Sequence, residues 1–437
     1  MIDLLIEARW IATVDPDALL KNHALAVDRG RIIDLLPAAE ARSRYPAQQQ
    51  ISLDQHLLIP GLINLHSHAA MNLMRGIADD LPLLRWLQEH IWPTEARHLS
   101  EQFVLDGSRL ACAEMLRGGI TCFNDMYFYP AATAQAASEF GMRASLGITT
   151  LEFPTPYAHD ADDYLRQGLA VHDQWRNQPN LHFTLAPHAP YTVSDNIFRR
   201  IATLAEQLNL PVHCHLHETR QEISDSLQQF GERPIERLQR LGLLDPRLIA
   251  VHAVHLNAED VERLATAGCH IAHCPVSNLK LASGFAPLEL MRDAGINIGL
   301  GTDGAASNNR LDLLSEMRIA SLITKGRTED ATALPAAEVL RMATLNGARA
   351  LGLAHEIGSI TIGKFADLCA IDLGSLECNP CFDPVSHLIH VAGREAVSHV
   401  WVAGKCCVNR KKLTNAEEYH LEAALALWQN KLQFRPE

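Results

Sequence analysis

The 437-residue sequence has no run of eighteen apolar residues, so no membrane-spanning helix is predicted. Charges occur too early in the first nine residues for the apolar core of a signal peptide, and we expect a cytoplasmic protein. The ten cysteines follow no disulfide framework, and the CxxC pair of Cys378 and Cys381 lacks the second pair of a structural zinc site. Acidic residues outnumber basic ones, 51 to 38, which argues against a nucleic-acid-binding protein.

A short strand that ends in two histidines is the first signal of function. Residues 62–68 follow Pro60 and Gly61 and include His66 and His68, two positions apart. Alternate residues of a strand face the same side, so both imidazoles can point at one position, as they do around a divalent metal. Alone the pattern is weak, because histidines two positions apart are more often ordinary polar residues than ligands.

Three later strand-like runs also lead to residues that bind metals or move protons. His215 and Glu218 follow one run, His252 ends another, and Asp303 follows a third. Each run is apolar on both faces, as expected for a strand buried in a parallel sheet. Their recurrence in one order indicates a common site at the carboxyl ends of the strands.

Strands and helices alternate in the middle of the chain, which predicts eight β/α units and a (β/α)₈ TIM barrel of class α/β. A doubly wound open sheet is the alternative, but no GxGxxG motif follows the first strand. Residues 1–57 and 359–437 hold too few strands for separate cores, so we predict a small β-sandwich built from both termini around a barrel of residues 58–358. A helix is predicted over residues 416–433. The predicted barrel strands cover residues 62–68, 120–126, 144–151, 181–187, 212–217, 248–254, 270–274 and 296–300.

The side chains at these strand ends suit one metal ion and one proton carrier. His66, His68, His215 and Asp303 are the predicted ligands of a single divalent ion, with zinc as the default and Fe²⁺ or Mn²⁺ as alternatives. Such an ion lowers the pKa of a bound water and supplies a nucleophile near neutral pH. Glu218 is predicted to carry a proton from that water to a substrate ring nitrogen, and Asp303 can also accept a proton.

Two more histidines belong to the predicted site. His252 would hydrogen-bond the water or the developing oxyanion, although a lone histidine there would be read as a core residue. His188 ends the fourth strand and is a predicted substrate contact. Barrels with two metals usually bridge them through a modified lysine at the end of strand four, and residues 181–190 contain no lysine, so one metal is predicted. Five other histidines have no assigned partner and are interpreted as structural residues or as supports of the ligands: His213, His217, His255, His270 and His273.

Four motifs together resemble the amidohydrolase superfamily over essentially the whole chain: residues 60–68, 213–218, 273–278 and 301–304. Residues 346–352 fit the same resemblance. Within the superfamily, the loop of residues 74–95 is similar to that of the 5′-methylthioadenosine/S-adenosylhomocysteine deaminases and their chlorohydrolase relatives. The resemblance implies hydrolytic deamination of a purine nucleoside at C6, with release of ammonia and formation of an inosine analogue.

The resemblance also implies substrate contacts and partners. Glu95 would bind the ribose hydroxyls, which a carboxylate can accept, and Arg143 and His188 would be further contacts beside Glu218 and Asp303. We favour 5′-methylthioadenosine because a thioether needs only an apolar pocket, whereas S-adenosylhomocysteine needs a partner for its amino-acid end; adenosine is a third candidate. The expected partner is a small molecule, with no nucleic acid and no membrane, and relatives commonly associate, so a homodimer is expected.

Two other functions stay open at this point. A deaminase or chlorohydrolase could act on a free base or a triazine ring, such as guanine, cytosine or an s-triazine, and Glu95 discriminates because these substrates have no ribose. A non-catalytic barrel scaffold is the remote alternative. Such a scaffold would have lost metal ligands, whereas the sequence retains all four and Glu218.

Overall fold

The computed structural model describes residues 1–415 and 418–432, so residues 416 and 433 at the predicted ends of the terminal helix lie outside the described residues. The described chain divides into two compact units. One contains residues 1–64, 113–122 and 312–415, and the other contains residues 65–112, 123–311 and 418–432. The domain boundaries after residues 57 and 358 stay a prediction.

Sixteen strands in the described residues form two eight-stranded sheets. They are β1 (Ile2–Ala12), β2 (Leu19–Asp28), β3 (Arg31–Pro37), β4 (Ala47–Pro60), β5 (Leu62–Ser67), β6 (Ile120–Asp125), β7 (Arg143–Thr150), β8 (Leu181–Pro187), β9 (Val212–Leu216), β10 (Leu248–His252), β11 (His270–His273), β12 (Asn297–Leu300), β13 (Leu368–Asp372), β14 (Val397–Val402), β15 (Lys405–Asn409) and β16 (Lys412–Leu413).

Both ends of the chain contribute to the first sheet, in the order β16-β15-β14-β13-β4-β1-β2-β3. Strand β1 pairs antiparallel with β2 and parallel with β4, and β4 pairs antiparallel with β13, which joins the two termini. The amide of Ala366, just before β13, donates to the carbonyl oxygen of Gly30 at 2.9 Å, so β13 also approaches the turn between β2 and β3. Leu25, Leu368 and Trp401 share one core, and the prediction that both termini combine in one separate β-structure is confirmed.

The second sheet joins β5 to β12 in chain order, as a (β/α)₈ barrel requires. Every residue of β5 and β6 is buried, which explains why these runs read as apolar on both faces. The amide of Asp303, just beyond β12, donates to the carbonyl oxygen of His66 at 3.0 Å, so the first and last strand ends meet at the carboxyl end. The predicted barrel is confirmed.

Helices begin where the sequence supplies capping side chains. Ser194 accepts from the amide of Ile197, and Thr219 accepts from the amide of Glu222. None of the described helices combines the length and the apolar character that a bilayer crossing requires. The helices are α1 (Ala38–Arg44), α2 (Leu83–Trp86), α3 (Trp92–His98), α4 (Glu101–Arg117), α5 (Pro130–Phe140), α6 (Ala161–Trp175), α7 (Asp195–Leu208), α8 (Arg220–Phe230), α9 (Pro234–Arg240), α10 (Ala258–Thr266), α11 (Pro275–Lys280), α12 (Leu288–Asp293), α13 (Ala305–Asn308), α14 (Leu313–Thr328), α15 (Ala336–Met342), α16 (Leu345–Ala350), α17 (Pro384–His390) and α18 (Glu418–Leu432).

Short non-α helical segments complete the described secondary structure. A π-helical segment, Leu87–Ile91, joins α2 to α3 without a break, and such segments are frequent at functional sites. The 3₁₀ segments are Ala69–Met74, Leu376–Cys378 and Arg394–Ala396.

Candidate active site

The carboxyl ends of the barrel strands bring the predicted histidines and Asp303 together. The ring centres of His66 and His68 are 4.7 Å apart, and those of His66 and His215 are 4.9 Å apart. Ligand atoms of His66, His68 and Asp303 lie within 4.8 Å of one another, and so do those of His66, His215 and His252. His66 belongs to both groups, so the five side chains surround one position.

Backbone carbonyls decide which nitrogen of two of these rings faces that position. Nδ1 of His68 donates to the carbonyl oxygen of Met126 at 2.6 Å, and Nδ1 of His215 donates to that of His188 at 2.7 Å. Because a carbonyl oxygen only accepts, each neutral ring keeps its proton on Nδ1 and presents an unprotonated Nε2. Ligating histidines are commonly fixed in this way, so these donor atoms suit a divalent metal.

His66 is supported by a histidine that the sequence analysis left without a partner. Nδ1 of His66 lies 2.9 Å from Nε2 of His213. If His66 binds a metal through Nε2, its Nδ1–H donates to His213. The signal was available, because His213 and His215 are two positions apart on β9 and alternate residues face the same side.

The carboxylate of Asp303 is held by three donors. Hydroxyls of Ser277 and Ser307 donate to Oδ2 at 2.6 and 2.8 Å, and the amide of Gly304 donates to Oδ1 at 2.8 Å. Burial would raise the pKa of Asp303, but its contacts with the imidazoles of His66 and His68 hold that pKa well below the ordinary value. Asp303 is therefore a fixed carboxylate. Sequence reasoning missed both serines, although Ser277 lies in the motif of residues 273–278.

Glu218 and His252 face each other beside the histidine cluster. Oε2 of Glu218 lies 3.8 Å from Nε2 of His252, and the hydroxyl of Ser283 donates to Oε1 at 3.3 Å. Burial raises the pKa of Glu218 above its ordinary value. Nδ1 of His252 donates to Oδ1 of Asn278 at 2.8 Å, which leaves Nε2 as an acceptor. Glu218 can therefore hold and pass on a proton, while Nε2 of His252 accepts a hydrogen bond.

A second buried carboxylate fixes the turn that carries Glu218. Glu222 accepts the amide of His217 at Oε1 and the amide of Glu218 at Oε2, both at 2.8 Å. Burial raises the pKa of Glu222 to about 8. These two bonds fix the backbone from which the Glu218 side chain extends. No motif in the sequence indicates Glu222.

A cavity of about 400 Å³ lies beside these residues, within the usual size range of small-molecule sites. Its wall is mostly apolar, and none of the described residues that line it is a lysine or an arginine. His188 lies in the wall, where burial lowers its pKa to about 3, and Nδ1 is 3.0 Å from the hydroxyl of Thr192. The aromatic lining residues are Trp86, Trp92, Tyr127, Phe128, Phe153 and Tyr191.

Glu95 is the carboxylate of this wall that lies outside the cluster at the strand ends. It sits on α3, directly after the π-helical segment, and is 7% exposed. The hydroxyl of Tyr127 donates to Oε1 at 2.6 Å, a contact that the sequence did not indicate. Burial raises the pKa of Glu95 to about 7, although the Tyr127 hydrogen bond lowers it.

The structure corrects the prediction for Arg143. Arg143 is the first residue of β7, at the amino end of the strand, whereas the site lies at the carboxyl ends. The strand separates the two ends by roughly 20 Å at about 3.3 Å per residue, farther than an arginine side chain reaches. Arg143 is buried, its Nη1 donates to Oδ1 of Asn180 at 3.0 Å, and it is absent from the described lining of the cavity.

Comparison with known proteins identifies the family of this chain. The profile of the amidohydrolase family matches residues 57–407. The chain belongs to the amidohydrolase family. The resemblance predicted from the sequence motifs is thereby confirmed.

Individual amidohydrolases match over nearly full length. A 5-methylthioadenosine/S-adenosylhomocysteine deaminase from Saccharophagus degradans is 48% identical over 432 residues, covering 99% of this chain and 97% of the relative. A zinc-bound adenosine deaminase from Xanthomonas campestris has a TM-score of 0.97 and 47% identity, with 99% of each chain covered. A zinc-bound atrazine chlorohydrolase from Arthrobacter aurescens has a TM-score of 0.90 and 25% identity, with 97% and 99% covered.

Proposed function

We propose that this amidohydrolase is a metal-dependent deaminase that converts an adenine nucleoside, 5′-methylthioadenosine first, into its inosine analogue and ammonia. The observation that carries the proposal is a cluster of imidazole nitrogens and a carboxylate beside an apolar cavity whose wall contains Glu95. The full-length relatives named for this activity support it. We place the activity in the cytoplasm and expect a homodimer, as the sequence predicts.

His66, His68, His215 and Asp303 would hold one divalent ion. Imidazole and carboxylate donors suit zinc, which the relative from Xanthomonas campestris contains, and Fe²⁺ or Mn²⁺ accept the same donors. When bound, the metal supplies the lowered pKa that makes water a nucleophile at neutral pH. Nε2 of His252 is within reach of the same position.

Glu218 is the residue that moves protons in this proposal. Its buried carboxylate, with a raised pKa, takes a proton from the attacking water and delivers it to the purine ring nitrogen next to C6. His252 accepts a hydrogen bond from the water at Nε2 and so orients it toward C6. Asp303, which is ionised, can accept the second proton from the hydroxyl that forms on C6 and pass it to the amino group. The amino group then leaves as ammonia, and C6 becomes a carbonyl.

The cavity wall accounts for the rest of the nucleoside. Glu95 would accept from the two ribose hydroxyls, and His188 would be a further contact with the ligand. The aromatic wall fits a purine and a thioether, because both bury apolar surface. S-adenosylhomocysteine carries a charged amino-acid end, and the described lining offers no lysine or arginine to its carboxylate. An uncharged 5′ group is therefore favoured.

Ammonia release from a panel of substrates tests the proposal. The zinc-loaded protein is assayed with 5′-methylthioadenosine, S-adenosylhomocysteine, adenosine, guanine and cytosine, and chloride release is followed for a chlorinated s-triazine. We expect the highest kcat/KM for 5′-methylthioadenosine. Turnover of the free bases or the triazine without turnover of any nucleoside would replace the proposal with a free-base activity. No turnover of any substrate would favour a scaffold.

A further inference from the structure

The two carboxylate oxygens of Glu95 differ in their hydrogen bonding. Oε1 accepts the hydroxyl of Tyr127, and no described residue donates to Oε2. Glu95 lies in the cavity wall and is almost fully buried. Because Oε1 is already occupied by Tyr127, Oε2 is the atom that can accept from a ligand hydroxyl.

The side chain that holds Glu95 is itself held on several sides. Tyr127 is 3% exposed, its ring packs against Phe128 at 5.2 Å between centres, and its carbonyl oxygen accepts the hydroxyl of Thr149 at 3.1 Å. Its hydroxyl is therefore a fixed donor. The alternative is that Tyr127 has only a structural role, as a core aromatic residue whose hydroxyl donates to the nearest acceptor.

The contact made by the preceding residue, Met126, is evidence against a purely structural role. The carbonyl oxygen of Met126 accepts Nδ1–H of His68 at 2.6 Å, while the hydroxyl of Tyr127 reaches Glu95 at 2.6 Å. Adjacent residues have Cα atoms only about 3.8 Å apart. One rigid dipeptide thus orients a predicted metal ligand at one point and the predicted sugar acceptor at another.

We propose that Tyr127 is a positioning residue for sugar recognition, whose hydroxyl turns Oε2 of Glu95 toward the vicinal hydroxyls of the nucleoside. The inference rests on the proposed function. Tyr127 would thus contribute to the preference for a ribonucleoside over an analogue without sugar hydroxyls. Tyr127 acts through Glu95 and does not itself touch the reacting atoms.

The test compares 5′-methylthioadenosine with its 2′,3′-dideoxy analogue as substrates of the zinc-loaded protein. In Tyr127→Phe, which keeps the ring, we expect kcat/KM for 5′-methylthioadenosine to fall about tenfold, mainly through KM, because a hydrogen bond to a charged group is lost. For the dideoxy analogue we expect a change of less than about twofold, because Glu95 has no hydroxyl to orient there. Zinc content should stay at the wild-type value.

The matched control is Tyr45→Phe. Tyr45 also donates to a carboxylate, Oδ2 of Asp34 at 2.8 Å, but it does not line the cavity, so both substrates should react as in the wild type. Equal losses for the two substrates in Tyr127→Phe would mean a merely structural role and overturn the inference alone. Wild-type kcat/KM values for both substrates in Tyr127→Phe would also overturn it. If the wild type turns over neither nucleoside, the proposed function fails, and the inference fails with it.

Discussion

Nε2 of His68 lies 3.2 Å from Oδ1 of Asp303. In the neutral ring the single N–H is on Nδ1, which donates to a backbone carbonyl oxygen. A lone pair thus faces a carboxylate oxygen, and only a cation between them makes the contact favourable. Burial would lower the pKa of His68, but the hydrogen bond and charge of Asp303 raise it to about 8. In the metal-free protein a proton takes that place, and a bound metal would displace it.

The first prediction follows from this competition between a proton and a metal. Zinc binding should raise Tm more at pH 8.5 than at pH 6.5, because protonated His68 cannot bind the ion below a pH of about 8. In the chelated protein the raised pKa stabilises the fold fully below 6.5, and this stability is lost as the pH rises through about 8. At 1.36 kcal/mol per pKa unit, the loss is about 2 kcal/mol.

Thermal and urea unfolding at the two pH values check this prediction. His68→Asn should remove both the pH-dependent loss and most of the zinc effect. A control is His23→Asn, because His23 is not among the described metal groups. Equal zinc shifts at pH 6.5 and 8.5 would contradict the competition.

The second prediction concerns Glu218. Glu218→Gln should lower kcat by about 10³-fold, because an amide cannot carry a proton, while zinc content stays unchanged. Burial raises the pKa of Glu218, so the ionised form costs stability above the ordinary pKa, and the variant should be more stable than the wild type at pH 8.

Steady-state kinetics, metal analysis and urea unfolding measure these effects. Glu232→Gln is the control, since Glu232 pairs with Arg240 and does not line the cavity, and its kcat should not change. A Glu218→Gln protein with wild-type kcat would show that another group moves the proton.

The third prediction concerns the pH dependence of binding at Glu95. A carboxylate accepts two hydroxyls, whereas the protonated acid has less acceptor capacity, so KM for the nucleoside should rise as the pH falls through about 7. Glu95→Gln should raise KM by about tenfold and remove this pH dependence. The dideoxy analogue is the control substrate, because its KM should change little with pH or with the Glu95→Gln substitution. A KM that is flat from pH 6 to 8 for 5′-methylthioadenosine would exclude this role.

The fourth prediction tests the close approach of Gly301 to His66. A Cβ at residue 301 would lie 2.8 Å from Cβ and 2.9 Å from the backbone nitrogen of His66, closer than such atoms pack. Gly301→Ala should therefore displace His66 and lower both zinc affinity and kcat/KM. Gly326→Ala is the matched control, because nothing lies within 4 Å of its Cβ position in α14, and it should be neutral or slightly stabilising. Retention of wild-type zinc affinity in Gly301→Ala would contradict the crowding.

The fifth prediction concerns the loop that follows His188. The buried guanidinium of Arg237 donates to the carbonyl oxygens of Pro190 and Val193 at 2.5 and 2.9 Å and to Asp195 at 2.7 Å. Arg237→Ala leaves buried carbonyl groups without donors, which should cost about 3 kcal/mol and raise KM.

Urea unfolding and substrate titration measure both effects. Arg240→Ala is the control on the same helix, because exposed Arg240 also pairs with Asp195 yet leaves the loop carbonyls untouched. Its stability and KM should stay close to the wild type. Equal effects in the two variants would assign the result to Asp195 and not to the loop.

Much of the fold could be predicted because barrel strands are buried on both faces. Strand β9, Val212–Leu216, was expected over residues 212–217, and all five of its residues are buried. Strand β4, Ala47–Pro60, was not predicted, since its first residues are mostly polar and exposed. It is a strand because it pairs with β1 and with β13, and such long-range pairing leaves no local pattern.

The site was predictable to the extent that it follows strand ends. His66, His68, His215 and Asp303 were selected because parallel strands place their carboxyl ends together, and the structure brings all four to one place. No spacing indicated the hydroxyls of Ser277 and Ser307 or the Tyr127–Glu95 bond, because these residues lie on elements that are separate in the sequence: α11, α13, α3 and the loop after β6. Arg143 was misplaced because a resemblance does not say at which end of a strand a side chain lies.

The order of residues along the chain establishes which donor side chains follow which strands, and these residues indicate the family and the class of chemistry. The folded chain alone turns Nε2, rather than Nδ1, of His68 and His215 toward Asp303 and its neighbours, because each Nδ1 donates to a carbonyl oxygen from another strand end or loop. Periodicity is a local property of the chain, with repeats of two and 3.6 residues. The position of a proton depends on partners that are distant in sequence, which no local repeat records.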